Sequence, residues 1–158
     1  MKNKIYPCLW FDGQAKAAAE FYWAVFGDGK ITADSPMVVN FELSGQKFMG
    51  LNGGPQFKIN PSISFHVVFE EEAELDAAWA QLSEEGMVMM ALDKYDWSAK
   101  YGFLQDRFGV SWQLDLGKLE DVDQQKFTPS FIFANAQLGK AEAAIELYTS
   151  LFNNDRFR

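Results

Sequence analysis

The sequence predicts an α+β fold made of two consecutive modules, each with the order strand, helix and three strands. An apolar strand followed by an amphipathic helix begins at residue 5 and again at residue 62. Short alternating strands follow each helix, and glycine, proline and asparagine separate the elements. A chain of 158 residues has room for such a domain, and at this length it needs no disulfide for stability.

The first module is predicted to span residues 4–54. Its helix carries an apolar stripe at helical spacing, and Gly27 is expected to end it. Residues 44–45 (SG) mark the turn of a hairpin, and residues 53–55 (GGP) close the module. The predicted elements are a strand at 5–11, a helix at 14–26 and hairpin strands at 37–43 and 46–52.

The second module is predicted to span residues 61–116. Acidic residues crowd the first turn of its helix, where the helix dipole favours negative charge. Gly86 is the expected residue after the helix, and residues 106–109 (DRFG) are expected to form a turn between the last two strands. The predicted elements are a strand at 62–69, a helix at 71–85 and strands at 87–92, 101–105 and 110–114.

The remaining sequence predicts a polar connector at residues 117–126 and the first strand and helix of a further module at residues 127–158. Two motifs of the first module recur there in the same order and with the same internal spacing. The apolar faces of this piece need a partner. It is therefore either the start of a truncated module or an element that packs onto another copy of the chain. The matched pairs are Pro7-x-x-x-Phe11 with Pro129-x-x-x-Phe133 and Tyr22-x-x-x-Phe26 with Tyr148-x-x-x-Phe152.

The charge balance disfavours several classes of partner. The formal net charge is -8, from 14 basic and 22 acidic residues, and no basic cluster is visible. We therefore expect neither nucleic acid nor an anionic membrane as a partner. Cys8 is the single cysteine, which fits a cytoplasmic protein without disulfides. No apolar run approaches the ~20 residues that span a bilayer, and residues 1–4 lack the features of a secretory signal.

Several stretches of the sequence resemble one known family. In the first module they lie on the first strand, on the helix and on the last strand up to residue 54. In the second module they lie on the first strand and on the last strand with the turn before it. Together they cover residues 4–116 almost continuously. They resemble the PhnB-like branch of the vicinal-oxygen-chelate superfamily, which includes glyoxalases, bleomycin-resistance proteins and extradiol dioxygenases. The matching stretches are Tyr6-Pro7-Cys8-Leu9-Trp10-Phe11-Asp12-Gly13, Ala19-Glu20-Phe21-Tyr22, Phe48-Met49-Gly50-Leu51-Asn52-Gly53-Gly54, Ile63-Ser64-Phe65 and Asp106-Arg107-Phe108-Gly109-Val110-Ser111-Trp112-Gln113.

The resemblance implies paired βαβββ modules in which a curled mixed sheet surrounds a cleft and the helices lie outside. It also implies a small-molecule-binding protein of the glyoxalase or bleomycin-resistance type. This branch often carries the label 3-demethylubiquinone-9 3-methyltransferase, but no cofactor motif supports that activity. Residues 53–55 (GGP) precede no helix, so we expect a loop between modules rather than a cofactor cradle.

Strand alternation divides the strand residues into two sets. The set that faces the cleft is expected to be the more polar one, which suits a ligand site. Residues 93–102 are expected to form a polar and aromatic loop, which either covers the cleft or only joins two strands. The set expected to pack under the helices is Leu9, Phe11, Met49, Leu51, Ile63, Phe65, Val67, Trp112 and Leu114. The set expected in the cleft is Tyr6, Cys8, Trp10, Phe48, Gly50, Asn52, Ser62, Ser64, His66, Ser111, Gln113 and Asp115. The ligand-binding candidates are Tyr6, Trp10, Asn52, Ser64, His66, Tyr101 and Gln113.

The resemblance also implies where a metal would bind. The superfamily's metal enzymes carry His or Glu ligands on the first and last strands of each module. Here those positions fall near Tyr6, Asn52, Ser62 and Gln113. Divalent cations prefer carboxylates and imidazoles, which these residues do not offer, so we expect no metal centre and no other cofactor. A divalent metal bound through other ligands stays as an alternative.

His66, the single histidine, is the candidate catalytic group. A lone strand histidine is typical of a hydrogen-bonded cleft or core residue, but histidine also titrates near neutral pH and can act as a general base. Three hypotheses remain, and they leave open whether the chain is an enzyme. It is a metal-free binding protein or non-metal enzyme, a metal-dependent lyase, isomerase or dioxygenase, or a non-catalytic assembly module. We expect a homodimer, because pairing between modules protects open sheet edges.

Overall fold

The computed structural model describes residues 5–152, which form three α-helices and nine β-strands in two mixed sheets. Short 3₁₀ helices lie at Leu119–Val122 and Asn135–Gln137. No helix in this part of the chain has the length and apolar character needed to cross a membrane. In chain order the elements are β1 (Cys8–Phe11), α1 (Ala15–Phe26), β2 (Gly29–Asp34), β3 (Val38–Leu43), β4 (Gln46–Asn52), β5 (Ile63–Phe69), α2 (Glu72–Ser83), β6 (Met87–Tyr95), β7 (Ser98–Gln105), β8 (Ser111–Leu116), β9 (Phe127–Phe131) and α3 (Ala141–Phe152).

The first sheet has the strand order β1-β4-β3-β2, with β1 parallel to β4. Helix α1 lies close against it. A Cβ atom on Gly50 of β4 would come within 2.9 Å of the Ala15 Cβ, so the close approach requires glycine at this position. At the end of the same strand, Asn52 Oδ1 accepts a hydrogen bond from the Ala15 backbone N–H at 2.9 Å. Asn52 thereby satisfies one of the N–H groups that a helix N-terminus leaves unpaired.

The second sheet has the order β6-β7-β8-β5-β9. Its first four strands repeat the plan of the first sheet, because β5 is parallel to β8 just as β1 is parallel to β4. Strand β9 adds to the free edge of β5 in antiparallel orientation. The predicted α+β architecture of paired βαβββ modules is confirmed.

The helix-facing sides of the two sheets share one core. Tyr22 and Phe26 of α1 reach across to Trp112 of the second sheet, with ring centroids 5.0 and 5.1 Å apart. Phe48 of the first sheet meets Phe65 of the second at 5.4 Å. Each ring is a large apolar surface removed from water, and tilted or edge-to-face contacts add to that stabilisation. The aromatic content of the sequence is therefore concentrated in the junction between the modules.

The turn between β7 and β8 is organised by a buried carboxyl group. Asp106 Oδ1 accepts the backbone N–H groups of Phe108 and Val110 at 2.8 and 3.0 Å, and Oδ2 accepts the Trp112 indole N–H at 2.7 Å. Gly109 has a φ of +85°, a conformation that glycine adopts at little cost. Burial raises the pKa of Asp106, and these hydrogen bonds offset that effect only in part. The turn and the central tryptophan are thus held by one side chain.

The structure differs from the sequence prediction in strand β2 and in the hairpin of β6 and β7. Strand β2 (Gly29–Asp34) was not predicted, because it is an edge strand whose side chains are mostly exposed and show little apolar alternation. The predicted loop at residues 93–102 is wrong. Strands β6 and β7 continue through it and pair as far as Tyr95 and Ser98, which leaves a two-residue turn. Tyr95 also stacks on Trp97 at 4.9 Å, and such aromatic contacts stabilise a hairpin.

The predicted faces of β4 are also wrong. Phe48 and Gly50 are buried on the helix-facing side, whereas Met49 and Leu51 lie on the opposite side. Asn52 shares the face of Gly50 and therefore points away from the cleft. The prediction placed the larger apolar residues under the helix. Helix α1 packs so closely on β4 that only glycine fits at the contact, so the face of β4 that carries Gly50 lies against the helix.

The C-terminal piece is only partly integrated into the fold. Phe127 of β9 is buried in the common core, so this strand completes the second sheet. Helix α3 behaves differently: within the described part of the chain none of its residues is buried. Its apolar residues Ile145, Tyr148 and Leu151 are about half exposed or more. Whether this piece belongs to a truncated module or packs onto another copy stays a prediction, and residues 153–158 lie outside the described residues.

Replacing Asp106 by asparagine is expected to destabilise the protein by about 1–3 kcal/mol. An asparagine oxygen can still accept the two backbone N–H groups, but its NH₂ group would face the Trp112 indole N–H, so a buried donor loses its partner. The free energy of unfolding in urea, followed by tryptophan fluorescence, measures the effect. The matched control is Asp96→Asn in the exposed hairpin turn, which should leave stability unchanged. Equal stability of Asp106→Asn and the control would contradict this role of Asp106.

Candidate functional site

Two chains of hydrogen bonds lie on the face of the second sheet that points away from the helices. The first chain crosses three neighbouring strands. Tyr101 of β7 donates its hydroxyl to Gln113 Oε1 at 2.7 Å, and Gln113 Nε2 donates to Ser64 Oγ of β5 at 2.7 Å. Both ends of the Gln113 amide are therefore fixed in orientation. Ser64 is fully buried and Tyr101 is 8% exposed, so both ends of this chain are buried and Gln113 between them is partly exposed.

The second chain contains the single histidine. His66 Nε2 lies 3.0 Å from Asp115 Oδ2, and Ser98 donates its hydroxyl to the other carboxylate oxygen of Asp115. Because Asp115 is ionised, Nε2 carries the proton of the ring and donates it to the carboxylate. Nδ1 is then left as the second ring nitrogen, and no other hydrogen bond of the His66 ring is found among residues 5–152.

The location of these groups follows from strand alternation on β8. Trp112 and Leu114 point into the core and are fully buried, so Gln113 and Asp115 must point to the opposite face. On the neighbouring strand β5, His66 lies directly opposite Gln113 in the register. We call this surface the polar face; it consists of Ser64, His66, Ser98, Tyr101, Gln113 and Asp115.

The electrostatics of the polar face centre on Asp115. Burial by itself raises the pKa of Asp115, but the hydrogen bonds from His66 and Ser98 and the charge of His66 outweigh burial, so the pKa falls below its usual value. Burial, followed by the negative charge of Asp115, raises the pKa of Tyr101 to about 12. At neutral pH the face therefore presents a fixed carboxylate and a neutral phenol. The His66 and Asp115 side chains are 25% and 23% exposed, so solvent reaches them.

An aromatic cluster borders this face at the tip of the β6–β7 hairpin. The rings of Tyr95, Trp97 and Tyr101 contact one another with centroids 4.9–5.9 Å apart. At these distances the rings pack together and leave no cage between them. Trp97 is 65% exposed, so one side of the cluster is open to solvent next to the polar face.

The structure brings together four of the predicted ligand-binding residues and separates the other three. Ser64, His66, Tyr101 and Gln113 lie on the polar face. The remaining three belong to the first module. Asn52 caps helix α1, Tyr6 is exposed beside β1, and Trp10 of β1 donates its indole N–H to the Gly54 carbonyl at 2.7 Å.

The contact of Trp10 with Gly54 also explains the glycine pair before the second module. A Cβ atom on Gly53 would lie only 2.3 Å from the Trp10 ring, so the ring packs directly over glycine backbone. The Gly53 backbone N–H in turn donates to the Phe11 carbonyl at 3.0 Å. Residues 53–55 therefore act as a structural loop in this arrangement.

Sequence reasoning missed Ser98 as a member of the polar face. It lies in the segment predicted to be a loop, and its partner Asp115 is seventeen positions further along the chain. No local pattern marks such a pair, since only the hairpin pairing of β6, β7 and β8 brings the two side chains together.

The residues at the metal-ligand positions of the superfamily do not form a metal site. Asn52 is engaged on the helix-facing side, and both ends of the Gln113 amide are already hydrogen-bonded. Ser62 and Tyr6 are exposed and offer only hydroxyl groups. Within residues 5–152 no group of three or more His, Cys, Asp or Glu side chains is placed to hold a metal ion. Burial raises the pKa of the Cys8 thiol, which does not favour a thiolate ligand or nucleophile.

Comparison with known proteins places this geometry in one family. The family model described as 3-demethylubiquinone-9 3-methyltransferase matches residues 3–115. The PhnB protein from Bacillus cereus, which carries the same methyltransferase name, is 33% identical; the match covers 73% of this chain and 100% of that one, with a TM-score of 0.68. No curated protein is similar enough to the chain to count as a match.

Two further solved structures support the fold alone, because their identities are low. A glyoxalase-related enzyme from Fulvimarina pelagi is 16% identical; the match covers 72% of this chain and 87% of that one, with a TM-score of 0.55. The fosfomycin resistance protein FosX from Listeria monocytogenes, solved with Mn(II), is 13% identical. The match covers 79% of this chain and 98% of that one, with a TM-score of 0.56. The chain therefore belongs to the PhnB-like family labelled 3-demethylubiquinone-9 3-methyltransferase, and it shares its fold with the glyoxalase-related enzyme and with FosX.

Proposed function

We propose that the chain binds a small organic molecule on the polar face of the second sheet. The observation that carries this proposal is the hydrogen-bonded order of the face. Its two chains fix six polar side chains, of which Ser64 and Tyr101 are buried and the other four are partly exposed to solvent. Convergent polar groups beside aromatic surface are the usual composition of a small-molecule site. Fixed side chains also lose little conformational freedom when a ligand binds.

The chemistry of the face suggests a polar ligand without a strong negative charge. Asp115 is ionised, and among the described residues of the polar face His66 is the only group that can become cationic. A ligand can donate to His66 Nδ1 while its apolar part rests on the exposed side of Trp97. An anion such as a phosphate would meet the Asp115 carboxylate without a lysine or arginine to balance it.

We further propose that the protein works without a resident metal and in the cytoplasm. The absence of carboxylates and imidazoles at the family's ligand positions supports the first point, and a single free cysteine fits the second. The alternative is a metal-dependent lyase, isomerase or dioxygenase with ligands at other positions. If the chain is an enzyme, His66 is the group to accept a proton, because Asp115 orients its ring and stabilises the imidazolium.

The His66 ring provides a single NMR reporter for this site, since the chain has one histidine. Catechol, benzamide and hydroxyacetone are suitable probes because they combine hydrogen-bonding oxygens with different amounts of aromatic surface. We expect at least one of them to shift the His66 ring signals. The shift should be lost in Gln113→Leu, which removes the central amide of the first chain, and retained in the matched control Gln81→Leu on the surface of α2.

The same spectra test the metal-free proposal. Zn²⁺ or Mn²⁺ at stoichiometric concentration should leave the His66 signals unchanged, whereas a metal that binds the ring would shift or broaden them. The ligand proposal fails if no probe shifts the signals, or if Gln113→Leu responds like the control. A stoichiometric metal response would instead favour the metal-dependent alternative.

The pKa of Asp115 gives a pH dependence with a definite sign. Because the folded-state pKa is lowered, Asp115 contributes stability above its unfolded pKa and loses it as pH falls through the folded pKa. The difference in unfolding free energy between the wild type and Asp115→Asn should therefore be larger at pH 6 than at pH 3. The exposed Asp121→Asn provides the control, with no such trend. A difference independent of pH would argue against the stabilised Asp115 carboxylate.

A second candidate function, self-assembly, is favoured by helix α3. Its apolar residues are uncovered, and we propose that they contribute to a homodimer. The variant Ile145→Lys/Leu151→Lys places charge on this side of the helix, and it should shift the solution mass toward the monomer. The matched control is Glu142→Lys/Glu146→Lys, which changes the charge by a larger amount on polar positions of α3. An unchanged mass of the apolar-face variant, measured by light scattering, would exclude α3 as the assembly element.

A further inference from the structure

A hollow of about 400 Å³ opens between the two sheets, on the side that faces the helices. Its walls come from the edge strand β1, from the start of β5 and from β9. Leu9, Phe65 and Phe131 all lie on the helix-facing side of their strands, opposite to the polar face. The hollow is therefore separate from the site proposed above. Its lining residues are Ile5, Tyr6, Pro7, Cys8, Leu9, Gln46, Ile63, Phe65, Gln125, Pro129 and Phe131.

A second hollow of about 250 Å³ continues from the first along the same seam. The two share Cys8, Leu9, Ile63 and Phe65, so they form one elongated trough. The second part is lined by apolar and aromatic side chains, among them Phe57, which is 59% exposed, and also by the polar residues Lys58, Asn60 and Ser62. Several apolar residues along the trough remain in contact with water, and a contiguous exposed apolar surface of this kind marks a binding site more often than chance.

The first hollow of the trough carries two side-chain amides, those of Gln46 and Gln125. Gln46 is only 9% exposed, yet its side-chain amide makes no hydrogen bond to any described residue. Gln125 donates Nε2 to the Phe127 carbonyl at 2.9 Å, which leaves its own oxygen available. The two side chains therefore offer amide donors and acceptors to a bound group that carries both a donor and an acceptor. No residue that lines this first hollow carries a charge, so a charged group would be poorly compensated there.

We propose that the trough binds a linear hydrocarbon chain with an uncharged hydrogen-bonding head, such as an alcohol or an amide. The head lies at Gln46 and Gln125, and the chain runs past Cys8 and Leu9 toward Phe57. The volume of the first hollow alone falls within the usual range for small-molecule sites, and burial of the chain supplies the free energy of binding. This site is independent of the polar face and of its proposed ligand.

The single cysteine serves as a reporter for the trough. Cys8 is exposed, lines both hollows and is free. Because burial raises its pKa, the reaction with a thiol reagent should be followed at pH 8.5–9, where enough thiolate forms. We expect 1-octanol to slow the labelling of Cys8 by about threefold or more, because a chain in the trough covers the thiol. The His66 NMR signals should not change, which separates this outcome from binding at the polar face.

Substitution at Gln46 tests the position of the head group. Gln46→Leu removes the amide and keeps an apolar wall, so the apparent Kd for octanol should rise about three- to tenfold, the value of one neutral hydrogen bond. Gln81→Leu on α2 is the matched control and should bind octanol like the wild type. If Gln46→Leu does not fold, Ile63→Glu provides an independent test, since it places a charge at the half-exposed mouth and should abolish protection.

Four results would overturn the proposal. The first is a Cys8 labelling rate of the wild type that octanol leaves unchanged, and the second is equal protection of Gln46→Leu and the wild type. The third is equal protection by octanoate or octylammonium, which would contradict an uncharged head. Finally, protection that rises with protein concentration in the absence of octanol would assign the trough to a second copy of this chain.

Discussion

The position of Trp112 is the constraint on which most of the structure depends. Its ring is fully buried and contacts aromatic side chains from α1, β5 and β9, so one residue joins both modules. Its indole N–H is bound by Asp106, which also closes the turn before β8. Large rings in a close-packed core leave little freedom for the strand that carries them. Strand β8 is thereby fixed in its register with both neighbouring strands, β5 and β7.

The position of β8 also determines which side chains it presents on the face away from the core. Gln113 and Asp115 alternate with core residues of the same strand, so their place on the polar face follows directly from the burial of Trp112. The partners of these two side chains come from strands paired to β8, which brings them within hydrogen-bond distance. The burial of Trp112 therefore determines both the packing of the core and the position of the candidate site. A change in the core at Trp112 is expected to disturb the hydrogen bonds above it.

The two proposed sites use opposite sides of the sheets for different chemistry. The polar face carries a hydrogen-bonded histidine and carboxylate with ordered amide and hydroxyl groups, whereas the trough is largely apolar, with two glutamines in its first hollow. The trough exists because β1 ends one sheet and β9 ends the other without a strand that joins them. Residues 127–131, which the sequence analysis assigned to a further module, therefore form a wall of this trough as well as an edge of the second sheet.

The sequence by itself determined the order of the elements other than β2, the repeated module and five of the six residues of the polar face. These features depend on local periodicity: alternation assigns Ser64 and His66 to one side of β5, and helical spacing marks α1. Tertiary structure decided the features that depend on contacts between residues far apart in the sequence. Close packing of α1 on Gly50 gave β4 the opposite faces from those predicted. Strand pairing in the second sheet brought Ser98 within hydrogen-bond distance of Asp115. Such contacts join residues far apart in the chain, and no local pattern of side chains records how closely two backbones will approach.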